Sequence, residues 1–194
     1  MQRALLMLVV SAFCFTGVKS SKHRCSEIQV QANFSLKQFM GKWYEIESLP
    51  SPFVSGKCIV QTFIPKDNGW VDLNTDMILK NGSLLQSVGI LVPANLNITA
   101  TLQYRSGLPL QHFPTFGELS FVPYQILSTD YTSYSLVYSC FQRSIISQGY
   151  AEHASILSRQ RNLPENITQH LYETMNIFKI PTEKLIKINQ EGCS

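Results

Sequence analysis

Short runs of β-branched and aromatic residues, broken by turn residues, occupy the chain from Gly41 to Arg159. Runs of this length and spacing are typical of an all-β barrel or sandwich. The turns Asp67-Asn68-Gly69 and Asn81-Gly82 predict tight hairpins, because glycine adopts positive φ without a Cβ clash. Consecutive strands are therefore expected to pair antiparallel. The predicted strands, neighbouring ones of which can merge, are 42–49, 57–64, 70–79, 84–91, 97–105, 112–121, 123–129, 134–141 and 152–159.

The hydrophobic pattern changes its period after Arg159. The segment Asn162-Leu163-Pro164-Glu165 resembles an N-cap followed by a proline near the first helical position and an early acid. Apolar residues then recur at helical spacing, namely Ile167, Leu171, Met175 and Phe178. One amphipathic helix of about four turns is therefore expected to lie on the barrel. Ile180-Pro181 is expected to end it, and residues 185–188 can form a last short strand.

Residues 1–20 have the features of a secretory signal peptide. Arg3 is followed by an apolar stretch from Ala4 to Phe15, and small residues stand before the expected cleavage after Ser20. A membrane anchor is the competing interpretation, but a span needs roughly 20 apolar residues and this stretch has only about 12. We therefore expect a signal peptide at 1–20 and one domain at 21–194, secreted to the extracellular space.

The charge of the chain is nearly balanced. It has 16 Lys and Arg residues against 13 Asp and Glu residues, and Arg3 and Lys19 leave with the signal peptide. Nucleic-acid binding needs a concentrated basic surface, and the sequence contains no basic run. We therefore expect no nucleic-acid partner.

Four cysteines remain once Cys14 is removed with the signal, namely Cys25, Cys58, Cys140 and Cys193. In an oxidising compartment an even set predicts two disulfides, and three connectivities are possible from the residues alone. The spacing matches no zinc pattern, and no histidine pair stands at metal-ligand spacing. We expect no metal and no cofactor.

Four N-glycosylation triplets agree with secretion. They begin at Asn33, Asn81, Asn97 and Asn166. Single triplets arise by chance, but four of them with a signal peptide predict a glycoprotein.

Three ordered segments together resemble the lipocalin family and, in detail, its apolipoprotein D group. The segments are Asn33-Phe34 with Gly41-Lys42-Trp43-Tyr44-Glu45-Ile46-Glu47, then Thr129-Asp130-Tyr131 with Tyr134-Ser-Leu-Val-Tyr-Ser-Cys140, and finally Ile156-Leu157-Ser158-Arg159. The resemblance covers residues 21–194. It implies an eight-stranded antiparallel up-and-down barrel with one C-terminal α-helix packed outside.

The resemblance also implies structural roles. Trp43 would plug the closed end of the barrel, with Arg159 stacked on its ring, an interaction of about 0.5–2 kcal/mol. Gly41, Thr129, Asp130 and Tyr131 are expected to be structural as well. A phosphate or substrate anchor is the alternative role for Arg159, but no glycine-rich phosphate loop accompanies it. The implied disulfides are Cys25–Cys140 and Cys58–Cys193.

Strand alternation predicts the residues that line the interior, because alternate side chains of a strand share one face. Counting by twos from Arg159, and matching the other strands to the family, gives a mostly apolar lining with a few polar groups. The alternative is that these residues are simply core. The predicted ligand-binding residues are Gln61, Phe63, Asn74, Ala100, Leu102, Tyr104, Tyr124, Ile126, Val137, His153 and Ser155.

The resulting hypothesis is non-covalent transport of a small lipophilic ligand of the steroid, fatty acid, retinoid or tetrapyrrole class. The protein is expected to be a monomer. It is also expected not to be an enzyme, since the sequence contains no nucleophile-elbow or metal motif. The apolar segments 51–54 and 107–110 could contact a lipoprotein or a membrane surface. The alternative function is that of an interaction protein, an inhibitor or receptor ligand that uses the barrel as a scaffold.

Overall fold

The computed structural model describes Cys25 and residues 28–50, 56–94, 99–107, 121–142 and 150–193. The predicted signal peptide, Asn97, residues 51–54 and residues 108–110 lie outside these ranges. Of the strand predicted at 112–121 only Phe121 is described, and it belongs to no strand. No helix in the described ranges is both long enough and apolar enough to span a membrane.

Eight strands form one antiparallel sheet that closes on itself. Each strand pairs with the next along the chain, and the first strand pairs with both the second and the eighth. The predicted eight-stranded barrel is thereby confirmed. The strands are β1 Gly41–Ser48, β2 Gly56–Pro65, β3 Val71–Leu79, β4 Leu84–Pro93, β5 Thr101–Ser106, β6 Val122–Thr129, β7 Tyr134–Gln142 and β8 Tyr150–Ser158.

The two predicted hairpin turns are present. Gly69 has φ +79° between β2 and β3, and its amide donates to the Lys66 carbonyl at 3.1 Å. Gly82 has φ +83° between β3 and β4, and its amide donates to the Leu79 carbonyl at 2.9 Å. Both positions require positive φ, which explains the glycines.

A bulge interrupts the pairing of β1 with β8. Glu45 lies opposite Leu157, whereas Glu47 lies opposite Ile156, so two steps on β1 correspond to one on β8. Such an extra residue reverses the alternation of the strand beyond it. Glu45 and Glu47 consequently lie on opposite faces of the barrel wall.

A short helix, α1 (Leu36–Phe39), precedes β1, and a longer one, α2 (Glu165–Ile177), follows β8. The predicted Asn162 cap is wrong, because the residue before α2 is Pro164 and no side chain caps the helix. The Asn162 carbonyl instead accepts from the Ser158 hydroxyl at 3.0 Å. A 3₁₀ turn (Thr182–Lys184) and the short strand β9 (Ile186–Lys187) complete the described chain, and β9 pairs with Glu47 and Ser48 of β1.

Two hydrophobic clusters lie on the two sides of the wall. The interior cluster includes Trp43, Phe63, Leu102 and Leu157, and it fills the base of the barrel. The exterior cluster lies between the wall and α2, where Leu171 and Met175 pack against Leu136 and Ile156. The neighbours Ile156 and Leu157 enter different clusters, as expected for a strand with both faces covered.

Candidate functional site inside the barrel

The base of the barrel is closed by an aromatic plug. Trp43 is fully buried, its indole N–H donates to the Phe39 carbonyl at 2.9 Å, and its ring centroid lies 5.1 Å from that of Phe39. The Arg159 guanidinium carbon lies 3.7 Å from the centroid of the Trp43 ring, which is the stacking that the resemblance implied. The same guanidinium donates to the carbonyl oxygens of Gln38, Phe39, Met40, Lys42 and Tyr131. These contacts give Arg159 a structural role.

The turn between β6 and β7 supports this base. Asp130 Oδ1 accepts from the amides of Thr132, Ser133 and Tyr134 at 2.8–3.0 Å. Partial burial raises the pKa of Asp130, but hydrogen bonds from Ser133 and these amides outweigh it and hold the pKa below its ordinary value. The Tyr131 hydroxyl accepts from the Ser35 amide at 3.0 Å. The turn therefore ties the N-terminal segment to the barrel.

Most of the predicted lining residues face the interior. Gln61 lies opposite Trp43, and Ser155 and His153 follow Leu157 by steps of two on β8. Tyr104 and Tyr124 pack against the interior cluster. The remaining inward residues belong to that cluster, and they are Phe63, Ala100, Leu102, Ile126 and Val137. Their contact with a ligand stays a prediction.

Asn74 is the exception, and its assignment to the lining is wrong. It lies opposite Thr62 on β2 and Val88 on β4, and the Val88 side chain is 52% exposed. Directly paired residues share a face, so Asn74 belongs to the outer face. Thr75 lies opposite the inward Gln61 and takes the interior position. A one-residue shift in matching β3 to the family produces this error.

A chain of polar groups crosses the interior above the plug. Tyr124 Oη donates to Gln61 Oε1 at 3.1 Å, and Gln61 Nε2 donates to Glu45 Oε2 at 2.9 Å. Burial, with smaller contributions from Glu45 and Tyr104, raises the pKa of Tyr124 well above its ordinary value. The Tyr124 hydroxyl therefore keeps its proton and remains a donor. Glu45 itself is only 1% exposed.

His153 completes the polar part of the interior. Its Nε2 lies 2.9 Å from Ser155 Oγ. Burial lowers the pKa of His153, although Glu45 and the Leu49 backbone favour the protonated ring. The imidazole is therefore neutral at pH 7, and one of its nitrogens is an acceptor.

Four buried polar atoms have no hydrogen-bond partner of normal geometry among the described residues. They are Glu45 Oε1, Ser135 Oγ, Ser139 Oγ and His153 Nδ1. We call these four side chains the polar strip, since they lie on the adjacent strands β1, β7 and β8. Ser135 lies opposite Leu157 and Ser139 opposite His153, so all four face the interior. An unpaired buried polar group costs about 1–3 kcal/mol, so such a cluster points to a site rather than to plain core.

Sequence reasoning missed Glu45, Ser135 and Ser139. A signal for Glu45 was available, because it stands two residues after Trp43 and alternation places both on one face. For Ser135 and Ser139, the same count from the inward Val137 would have sufficed.

Both disulfides join the pairs that the resemblance implied. Cys25–Cys140 attaches the N-terminal segment to β7, and Cys58–Cys193 attaches the C-terminal tail to β2. Gln190 Nε2 strengthens the second attachment by donating to the carbonyls of Glu45 and Ile59 at 2.8 and 2.9 Å. Within the described ranges, no group of three His, Cys, Asp or Glu side chains could hold a metal ion.

The chain is similar in sequence to apolipoprotein D over almost its whole length. Apolipoprotein D of Macaca fascicularis is 32% identical, and the alignment covers 97% of this chain and 96% of the relative. No protein-family model matches the chain. Among solved structures, insecticyanin of the tobacco hornworm Manduca sexta has a TM-score of 0.68 at 22% identity, covering 86% of each chain. Lobster apocrustacyanin A1 has a TM-score of 0.67 at 21% identity, covering 81% of each chain. The chain therefore belongs to the lipocalin family, as a relative of apolipoprotein D.

Proposed function

We propose that this protein is a secreted carrier that binds a small hydrophobic molecule non-covalently inside its barrel. The observation that carries the proposal is a closed barrel whose inward side chains are mostly apolar or aromatic, with a few polar groups among them. Small-molecule sites are generally built in this way. The family membership supports the same function, because related lipocalins carry small hydrophobic ligands.

The cargo is a molecule of the steroid, fatty acid, retinoid or tetrapyrrole class, one per barrel. An eight-stranded barrel has an interior that holds a single ligand of about this size. The carrier releases its ligand chemically unchanged and uses no cofactor.

The covalent features support secretion. Two disulfides fit an oxidising compartment. Asn33, Asn81 and Asn166 are exposed, so glycans at these three positions would meet no steric obstacle. We accordingly propose a secreted glycoprotein, monomeric in solution. Contact with a lipoprotein or a membrane would use residues outside the described ranges.

A pair of phenylalanine substitutions at adjacent positions tests the binding site. Thr75→Phe places a ring in the interior, whereas Asn74→Phe places the same ring on the outer face. Binding is measured by displacement of a fluorescent apolar dye with cholesterol, oleic acid, retinol and biliverdin. We expect Thr75→Phe to lower the affinity for the ligand by about tenfold or more, which corresponds to about 1.4 kcal/mol of binding free energy. Asn74→Phe is expected to leave the affinity unchanged.

The same panel can reject the proposal. Transport is excluded if two results are found together. None of the four compounds displaces the dye from the wild-type protein, and natively purified protein yields no stoichiometric lipophile on extraction and mass spectrometry. A stable protein partner in that material would instead favour the scaffold function.

A further inference from the structure

The polar strip gives the proposed cargo site a chemical preference. Its four unpaired atoms lie on three adjacent strands, whereas Leu73, Leu91 and Leu102 on β3, β4 and β5 bring apolar side chains to the interior. The interior is therefore amphipathic, with one polar side and one oily side. We propose that the polar strip is a head-group site that selects lipophiles bearing a hydroxyl or amine donor over lipophiles bearing a carboxylate. This inference rests on the carrier function proposed above.

Glu45 determines the direction of the preference. A glutamate carboxylate can only accept hydrogen bonds. Its Oε2 already accepts from Gln61, and its Oε1 has no partner among the described residues. Gln61 is held in place beside Glu45, because its oxygen accepts from Tyr124 and one of its two N–H groups donates to Glu45. Glu45 Oε1 therefore calls for a donor.

A carboxylate head group would meet an unfavourable environment at the same place. Like charges in a buried site repel strongly, and no Lys or Arg is among the buried residues of the described chain. Arg159, whose guanidinium stacks on the plug, donates hydrogen bonds to five carbonyl oxygens at the base of the barrel. The described interior thus offers an acid head group no counter-charge.

The neighbouring members of the strip suit a hydroxyl. Ser139 lies directly opposite His153 across β7 and β8, and both present an unpaired atom to the interior. A hydroxyl both donates and accepts, so it can donate to Glu45 Oε1 while accepting from a serine hydroxyl. An alcohol can therefore satisfy more of the strip than an ether or a hydrocarbon.

Matched alcohols and acids test the preference. The ligands are retinol against retinoic acid and oleyl alcohol against oleic acid, titrated at pH 7.4 into the disulfide-bonded protein by displacement of a neutral fluorescent dye. We expect each alcohol to bind the wild-type protein about tenfold more tightly than its acid. This comparison needs no variant, so it stands even if an altered protein folds poorly. Equal or tighter binding of the acids overturns the inference.

Two glutamine variants then assign the preference to one carboxyl group. Glu45→Gln removes the interior acid and is expected to reduce the alcohol-to-acid ratio to about threefold or less, which is under 0.7 kcal/mol. Glu47→Gln removes the same charge from the outer face, where Glu47 accepts from Tyr172, and is expected to keep the ratio. An equal effect of both variants would mean that net charge governs binding, which also overturns the inference. If none of these four ligands binds, and cholesterol and biliverdin do not bind either, the carrier function itself fails, whereas binding without a head-group preference rejects the polar strip alone.

Discussion

Asp130 shows how much one carboxylate organises locally. It lies in the turn between β6 and β7 and accepts hydrogen bonds from three consecutive amides as well as from the Ser133 hydroxyl. Without it these donors would depend on water in a turn that must also position Tyr131, whose φ is +67°. Asp130 thus stabilises the conformation of the β6–β7 turn, which in turn holds Tyr131 at the base of the barrel.

Replacing Asp130 should therefore make stability less sensitive to acid. We expect Asp130→Ala to lower the free energy of unfolding by about 1–2 kcal/mol at pH 7. Because the folded pKa of Asp130 lies below the unfolded one, its contribution is complete above about pH 4 and is lost as the pH falls through the folded value. Urea unfolding at pH 7, 5 and 3 should show a gap between the two proteins that is similar at pH 7 and 5 and narrower at pH 3, below the unfolded pKa.

Asp67→Ala serves as the control for this series, since Asp67 is exposed in the β2–β3 turn. It should change stability by less than about 0.5 kcal/mol at any of these pH values. An Asp130→Ala gap that persists undiminished at pH 3 would contradict the carboxylate explanation.

At the scale of elements, the attachment of α2 depends on more than its apolar stripe. Leu171 and Met175 are fully buried against the wall, as their spacing predicted. In addition, Tyr172 Oη donates to Glu47 Oε2 at 2.6 Å, and Glu47 is only 3% exposed. The helix therefore supplies the donor that a buried carboxyl group on β1 requires.

Removal of that donor should loosen α2. Tyr172→Phe is expected to cost about 1–3 kcal/mol, because Glu47 stays buried without its partner. Tyr44→Phe is the matched control, since no hydrogen bond of its hydroxyl is present within the described ranges, and it should cost less than about 0.5 kcal/mol. The measurement is urea unfolding followed by far-UV circular dichroism, with amide exchange of residues 165–177 as a local readout. Equal losses in the two variants would refute a specific role for the Glu47 contact.

Sequence patterns predicted most elements to within a few residues, because alternation and glycine turns are local signals. The predicted segments 57–64 and 134–141 correspond to Gly56–Pro65 and Tyr134–Gln142. The face of β3 was assigned wrongly, although Val71, Leu73 and Met77 alternate in the sequence and are all buried. That alternation places Thr75 inside. Matching to the family overrode a local signal that was correct.

The interior was harder to predict because burial of a charge depends on partners from distant strands. Glu45 is held by Gln61, which is held by Tyr124 from the other side of the barrel. Acidic residues are rarely buried unless paired, so composition alone assigns Glu45 to the surface. The disulfide pairing likewise needed the family resemblance, since the residues alone allow three connectivities.

At the scale of the molecule, Arg159 joins segments that are far apart in the chain. Its guanidinium connects the end of β8 with α1, the start of β1 and the β6–β7 turn. These contacts close the base with one side chain, and they seal the edge of the plug beside Trp43. Loss of the guanidinium should therefore affect cooperative unfolding of the whole barrel.

We expect Arg159→Ala to lower the free energy of unfolding by about 2–4 kcal/mol, through lost stacking and unpaired carbonyls. Arg159→Lys should retain less than half of the stability that Arg159→Ala loses, because an ammonium lacks the planar guanidinium geometry that reaches several acceptors. Arg161→Ala is the control, since its guanidinium carbon lies 5.0 Å from the Tyr44 ring centroid and the residue is exposed. Guanidinium denaturation with the disulfides intact measures all three, and a loss below about 1 kcal/mol for Arg159→Ala would show that the base holds without it.

The bulge in β1 has a consequence for how acidity is distributed across the wall. Glu45 and Glu47 are separated by one residue, so an uninterrupted ladder would turn both of them inward and leave Tyr172 facing an alkyl chain. Because of the extra residue at Ile46, Glu45 faces the lumen, whereas Glu47 faces the helix outside the barrel. The polarity of the lumen thus depends on backbone spacing as much as on amino-acid type. Deleting the one extra residue of this strand would change which side chains face the lumen.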